Sequence, residues 1–497
     1  MNATDREVIV VGGGISGLTA AWRLKQAGVS VRLLERALRV GGCTTTERRD
    51  GFLLEKGPFN VMVRDPSFEA LLGELSDEVA VVSASPAARR RYIYRGGRLQ
   101  TVPSNPLTLL TTGLLSVGGK CRLLSGLLWS RRAEGVEETI EQAAVRRFGR
   151  EAADRIVSAT IAGIFAGDIR KLSLSACFPS VGRVDAEARS LIGFGLRAAF
   201  RKKGSGHRRR WRGLVSIDGG LGAVCESLAR RLGGDLQVNA SVRAIRPTGD
   251  GYDIECESAT GEASLSSEQS DGAPRTLKCR HLVIASPAAE TGRLLVPLAP
   301  QAAAELGAIE SASLAVLNLG FRSRDVGHPL DGFGFLVPHD ERDFPLMGVL
   351  WADSVFPHHA PPDHRLVRVF VGGPRDPQAV DRSDDELVAT ALGALRGVLR
   401  LGGDPVLTDV SRYSGAIPQY HVGHMERIAR VRRAVAARPG LHLVGNYLEG
   451  VSLNDCVRLA TRVAGELIRT ATVRERPDAQ PNELPMPAPE CAGAGMS

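Results

Sequence analysis

The sequence predicts an α/β protein: a Rossmann-type dinucleotide-binding domain assembled from segments far apart in the chain and interrupted by α+β insertions. Three observations predict it. The chain opens with a strand, a glycine-rich turn and a helix, "EVIVVGGGISGLTAAWRLKQAGVSVRLLER", Glu7 to Arg36. A second strand–turn–helix pattern closes it, "GLHLVGNYLEGVSLNDCVRLATRVAGEL", Gly440 to Leu467. The intervening chain alternates strand-like and helix-like stretches, and 497 residues are too many for one simple core, so two or three domains are expected.

In the first element, Val8 to Val11 is a short apolar run that reads as a buried parallel strand. Gly12, Gly14 and Gly17 follow at GxGxxG spacing, Ile15 to Gln26 reads as a helix closed by Gly28, and "VSVRLLE" is the second strand. Gly12 makes the tight turn, Gly14 lets the backbone approach a pyrophosphate, and Gly17 lets helix and strand pack closely. The helix start at Ile15 and Ser16 presents free N–H groups to phosphate. Glu35, followed by Arg36, ends the second strand where an acidic residue binds ribose hydroxyls; its charge disfavours a 2′-phosphate, which argues against NADP.

The next stretch, "RVGGCTTTERRDGFLLEKGP" (Arg39 to Pro58), carries a second glycine pair, Gly41 and Gly42, and an E-x-G element at Glu55 and Gly57. It resembles the extended flavin motif of the amine oxidase superfamily, with Cys43 where that family usually has Arg or Lys. In the closing element, a strand from Leu441 to Val444 meets Gly445, a loop with Asn446 and Val451, and a helix from about Ser452. Such a loop and helix start can face a flavin pyrophosphate and ribityl chain. Between the two ends, Trp211 to Cys256 and His281 to Leu295 read as further strands and helices of the same domain. Val242 resembles the family residue that packs near the adenine.

Composition narrows the remaining choices. With 43% hydrophobic and 24% charged residues the chain is an ordinary globular protein, and a formal charge of +8 favours anionic partners without choosing among them. Eight scattered cysteines form no CxxC pair, so no metal site is expected and free thiols in a reducing compartment are. No basic leader precedes the first strand, so no secretory signal is expected. No uninterrupted apolar run is long enough to span a bilayer; the leucine-rich Leu107 to Trp129 could lie on its surface. Ser258 to Pro274 reads as a mobile hairpin loop, and the tail from about Arg476 as disordered.

Five separated stretches, "VPSNP", "GIFAGDIRKLSLSACFPS", "DGFGFLVP", "AIPQYHVGHMERI" and "GNYLEGVSLNDCVR", resemble the protoporphyrinogen oxidase family over almost the whole chain. The resemblance implies a glutathione-reductase-like FAD domain, a mixed-sheet substrate domain and a helical membrane-associated domain. The expected division is 1–85, 209–295 and 411–470 for the FAD domain, 86–208 for the helical domain, 296–410 for the substrate domain, and a tail over 471–497. It implies non-covalent FAD and oxygen-dependent, six-electron oxidation of protoporphyrinogen IX, with hydrogen peroxide as by-product. A homodimer on the inner face of the cell membrane is the expected setting. No catalytic side chain is named, because a flavin accepts hydride without a protein nucleophile.

For substrate, Arg91 in "RRRYIYRGGRLQTVPSNP" resembles the arginine that pairs with a propionate, which its forked guanidinium suits. Gly163 resembles a glycine whose backbone approaches the tetrapyrrole. Leu336, Leu350 and Phe370 resemble the apolar pocket around the pyrrole rings. The rival reading within the fold is coproporphyrinogen III oxidation, whose substrate carries four propionates instead of two; a flavin amine oxidase or desaturase is more distant. Nucleic acid is not expected, since the arginines accompany no recognised binding motif. Basic clusters such as "RKKGSGHRRRWRGL" suit an anionic lipid interface, or a solvated loop.

Overall fold

The computed structural model describes residues 6–103, 106–128, 136–187, 210–211, 213–258 and 275–474. Helix runs through Arg474 and strand through Ser258, so the expected tail starts later than 471 and the expected loop after Ser258; residues 259–274 and 475–497, residues 201–209 and 212 of the basic cluster and the centre of "VPSNP" lie outside the described residues.

Two sheets organise the chain, each seven-stranded among the described residues. The first begins with β1 (Arg6–Val11), followed by helix α1 (Ile15–Gln26) and β2 (Val31–Leu34). The apolar run therefore becomes a strand and the helix takes the expected bounds. β1 pairs in parallel with β2 on one side and with Arg275–Ile284 on the other, and Leu441–Leu443 extends the parallel set beside Leu282–Ile284. The antiparallel strands Ala240–Pro247 and Tyr252–Ser258 complete one edge. The closing segment thus joins the same sheet as the opening one. Its helix, Leu453–Arg474, packs on α1. Val8 to Val11, Leu33 and Leu34 and Leu282 to Ile284 are all buried here, as parallel strands covered on both faces require.

The second sheet runs, in spatial order, Leu407–Pro418, Ser311–Arg322, His364–Gly372, Leu346–Trp351, Gly334–Leu336, Tyr92–Arg95 and Arg98–Thr101. Strand membership moves three expected boundaries. The hairpin Tyr92–Thr101 pairs with Phe335 and Leu336, so this piece of the 86–208 segment belongs to the second sheet. Leu407–Pro418 pairs with Ser311–Arg322 and carries that sheet past residue 410. Helix Pro300–Gly307 buries Ala302 and Leu306 in the core of the first sheet, so that domain continues past 295. In each case pairing or burial, invisible in local pattern, decides the assignment.

One face of the second sheet is dry. Phe335, Val349, Val369 and Leu317 lie in one cross-strand row, and Trp351, Val367 and Leu319 in the next. All are buried against Leu387, Ala391, Leu395 and Leu399 of helix Asp384–Leu399. The opposite face looks toward the first domain. There Phe52 of strand Phe52–Glu55 packs into the same core cluster as Leu366 and Leu407. Short helices between Ile140 and Glu187, among them Ile140–Phe148 and Ser158–Phe165, cover one end of this junction.

Candidate active site

The glycine loops meet as the spacing predicts. Gly12 has φ 110°, a conformation that favours glycine, and a Cβ on Gly17 would stand 1.9 Å from the Gly12 carbonyl oxygen. A Cβ on Gly14 would meet nothing within 4 Å, so that residue faces open space. The second pair folds back on the first: Gly41 N–H donates to the Gly13 carbonyl at 2.8 Å, and Gly42 takes φ 59°. No side chain caps the start of α1, which leaves its N–H groups for a ligand. Glu35 ends β2 with its carboxylate accepting from the Gly13 N–H at 2.6 Å and the Ala37 N–H at 2.7 Å, beside the loop; Arg36 is exposed.

The C-terminal element comes to the same place. Ser16 of α1 lies beside Cys456 of the closing helix, whose thiol is pushed up to about 12 by burial. Ser452 caps that helix through the Asp455 N–H at 3.3 Å. Gly445 has φ 157°, and the Asn446 carbonyl accepts from the Tyr420 hydroxyl, which in turn accepts from the Gly450 N–H at 2.9 Å. Val451 packs against the apolar cluster formed by the helices over 140–177. Val242 is buried, and its carbonyl accepts from Arg293 at 3.1 Å. Gly57 presses on Cys43, the residue after the second pair, since a Cβ there would lie 2.2 Å from the Cys43 carbonyl oxygen. Cys43 itself is solvent-accessible yet closely surrounded by protein, which pushes its thiol up by desolvation; such a residue lines a cleft rather than the outer surface.

Across this cleft stands the second face of the second sheet. Leu336, Gly348, Phe370, Val316 and Ser411 form one cross-strand row, and Gly334, Leu350, Arg368, Asn318 and Asp409 the next. Leu336, Leu350 and Phe370 are each half-buried while their strand neighbours on the other face are buried. Gly163, on helix Ser158–Phe165, abuts Leu336: a Cβ would come within 2.8 Å of its Cδ2. Arg91 is exposed just before strand Tyr92–Arg95, with its guanidinium 5.2 Å from the Phe333 ring centroid, a cation–π contact. Neighbouring Arg90 is instead paired with Asp331. The structure therefore gathers the expected substrate residues on one face and its rim.

A polar layer that the sequence reading did not nominate is built on the row of Arg368, Asn318 and Asp409 of this face. Lys56 reaches Asp409 at 2.5 Å and Glu47 at 2.8 Å. Asn318 donates to Asp409 at 2.9 Å. Arg368 is fully buried, donating to Asn318 Oδ1 at 3.1 Å and to the carbonyls of Glu55 and Gly57 at 2.8 and 3.0 Å. The Glu55 carboxyl accepts from Thr46 Oγ1 and the Leu221 N–H, both at 2.7 Å, and burial pushes it up to about 7. Tyr413, half-buried on the same sheet face, is pushed up to about 12, mainly by burial. Asn454 ties the closing helix to the chain at Met62–Asp65 through three hydrogen bonds. Strand parity is the signal that could have found the sheet residues: Arg368 is two from Phe370 and so shares its face.

The residues present fit FAD: an uncapped helix start, glycines open to a pyrophosphate, a fixed acid at the end of the second strand and an accessible cleft leading to the second sheet. The comparisons agree. A family described as flavin containing amine oxidoreductase matches residues 15–468. The chain belongs to that family. It is an FAD-dependent oxidoreductase, and the expected amine oxidase fold is the one observed.

Several relatives are similar over nearly their whole length. "Coproporphyrinogen III oxidase" of Bacillus subtilis is 28% identical, covering 92% of this chain and 97% of its own. The Propionibacterium freudenreichii protein of the same name is 31% identical, covering 95% and 92%. "Protoporphyrinogen oxidase" of Bos taurus is 31% identical, covering 94% and 99%. A crystal structure from Exiguobacterium, provisionally named a protoporphyrinogen oxidase, superposes with TM-score 0.78 at 26% identity, covering 94% and 99%.

Proposed function

We propose that the protein oxidises protoporphyrinogen IX to protoporphyrin IX with molecular oxygen, releasing three hydrogen peroxide molecules per porphyrin. The observation that carries this reading is the apolar row Leu336–Gly348–Phe370, set across the cleft from the glycine loops, with an exposed arginine at its rim. Three neighbouring strands span roughly 10 Å, a surface broad enough for an apolar macrocycle. Bound FAD supplies the two-electron acceptor and passes the electrons to oxygen. Over three rounds three hydrides leave meso carbons, and of the three accompanying protons two leave pyrrole nitrogens and one leaves the remaining meso carbon.

The protein's part is to bind and orient. Phe370, Leu336 and Leu350 hold the ring system against the sheet, and Gly163, with no side chain, leaves room beside Leu336. Arg91 takes a propionate bidentately. Excluding water from this apolar face fixes the reacting carbon in one position and protects the partly oxidised rings. The nitrogen protons need no strong base, because the hydropyrroles become more acidic as they are oxidised. Gly12, Gly14, Ile15, Ser16, Gly17, Glu35, Arg36, Gly41, Gly42, Gly57, Val242, Gly445, Asn446, Val451 and Ser452 hold the cofactor in this reading.

Coproporphyrinogen III is the second reading, favoured by the names of the two bacterial relatives. Against it stands the apolar character of the face, where Leu336, Leu350 and Phe370 are half-buried and Arg91 is the cation assigned to a propionate. The protein works as a homodimer resting on the inner face of the cell membrane in this proposal. Its support is helix Val117–Leu128, where Val117 and Leu124 are exposed beside Arg122. No helix among the described residues is long and apolar enough to cross a membrane. The test is an aerobic assay of the purified protein with protoporphyrinogen IX, reading porphyrin fluorescence and peroxide together. Three peroxides per porphyrin is the expected ratio; bound FAD with no porphyrin formed would overturn the proposal.

A further inference from the structure

Arg368 is out of balance with its surroundings. It is fully buried, and every hydrogen bond it makes goes to a neutral oxygen: Asn318 Oδ1 and the carbonyls of Glu55 and Gly57. Its Nη1 is buried with no hydrogen-bond partner. The nearest acids are engaged elsewhere, Asp409 with Lys56 and the Glu55 carboxyl with Thr46 and Leu221. Leaving a buried guanidinium without a direct carboxylate is costly, so a position that keeps one needs a reason.

Its placement supplies one. Arg368 lies between two things the cleft brings together. On one side its Nη2 grips the carbonyls of Glu55 and Gly57, the segment that packs on Cys43, the residue after the second glycine pair. On the other its guanidinium carbon is 5.6 Å from the ring centroid of Phe370, the half-buried aromatic of the cleft face, and 5.2 Å from that of Phe59. A fixed positive charge in so dry a layer acts over longer distances than one in water.

We propose that Arg368 is a positioning residue whose unneutralised charge, buried beside Phe370 on the cleft face, stabilises negative charge gained by the flavin and so raises its midpoint potential. Fixed charge near the isoalloxazine is one of the means by which a protein tunes a flavin. Although burial lowers the guanidinium to about 10, it stays charged at neutral pH. The inference rests on FAD binding in this cleft and not on which substrate the enzyme takes.

The experiment is spectroelectrochemical titration of the FAD-loaded protein, with no porphyrinogen present, so its failure and failure of the substrate assignment are separable. Arg368→Met is expected to shift the two-electron reduction equilibrium at least tenfold against reduction, about 30 mV downward. Arg368→Lys keeps the charge but not the fork, and should hold most of the wild-type potential. Asp409→Asn removes an opposing charge from the same layer and should move the potential upward. An unchanged potential in Arg368→Met, equal shifts in the Met and Lys variants, or no upward shift in Asp409→Asn would each overturn the proposal. Should Arg368→Met fail to retain FAD, the Lys and Asn variants decide it.

Discussion

The two faces of the second sheet are built from the same strands and differ in what they are for. On one, Phe335, Val349, Val369 and Trp351 are buried against a helix, which is the ordinary use of a sheet face. On the other, alternate residues of the same strands leave Leu336, Leu350 and Phe370 half-buried over a cleft and place Arg368, Asn318 and Asp409 beside the first domain. In the proposed reading, a period of two residues separates stability from function along a single strand. Substitutions on opposite faces should separate in the same way.

The largest expected contrast is Phe335→Ala against Phe370→Ala. Phe335 is 1% exposed, so its loss should cost about 3–5 kcal/mol in chemical unfolding. Phe370→Ala should cost well under half of that, and raise the Michaelis constant for porphyrinogen. Equal losses of stability would make Phe370 a core residue and dissolve the contrast.

The next effect tests the polar layer through pH. Glu55 is raised from 4.5 to about 7 by burial, so between those values the folded protein holds a proton that the unfolded chain has released. Stability contributed by this group therefore falls as pH rises through that window, by an amount on the order of 3 kcal/mol. In Glu55→Gln that decline should be absent, so the variant gains on the wild type from pH 5 to pH 7 in urea-unfolding series (about 2 units, within the window). Parallel curves would show that Glu55 is not the titrating group.

At the rim, Arg91→Ala should leave FAD bound and raise the porphyrinogen Michaelis constant roughly tenfold to a hundredfold, the worth of a charge-assisted contact of about 1.5–3 kcal/mol. An unchanged constant would remove the propionate role. The smallest effect belongs to Gly163→Ala. The added Cβ would stand 2.8 Å from a terminal carbon of Leu336, which can yield, so a several-fold drop in turnover with unaltered thermal unfolding is expected. A loss of stability without loss of turnover would place Gly163 in the helix packing alone.

The first domain was far more legible in the sequence than the second. Gly12, Gly14 and Gly17 carry their reasons locally, in backbone angles and close approaches, and α1 takes the bounds its pattern predicts. The second sheet depends on partners distant in sequence. Nothing in "RRRYIYRGGRLQT" states that Tyr92 pairs with Phe335. Nor does the pattern of His364–Gly372 alone tell which of its residues look into a cleft. The family resemblance pointed to Phe370, Leu336 and Leu350, yet it passed over Arg368, because a buried arginine is recognisable only once its neutral partners are seen. Tyr413 was missed for a similar reason: a bulge between Ala312 and Leu314 shifts the pairing of its strand.

The decisive measurement compares kcat/KM for protoporphyrinogen IX and coproporphyrinogen III on the same FAD-loaded enzyme, in air, by porphyrin fluorescence. An apolar face with Arg91 as its assigned propionate contact predicts the higher value for the two-propionate substrate, and a drop in that value in Arg91→Ala. A higher value for the four-propionate substrate would contradict the assignment.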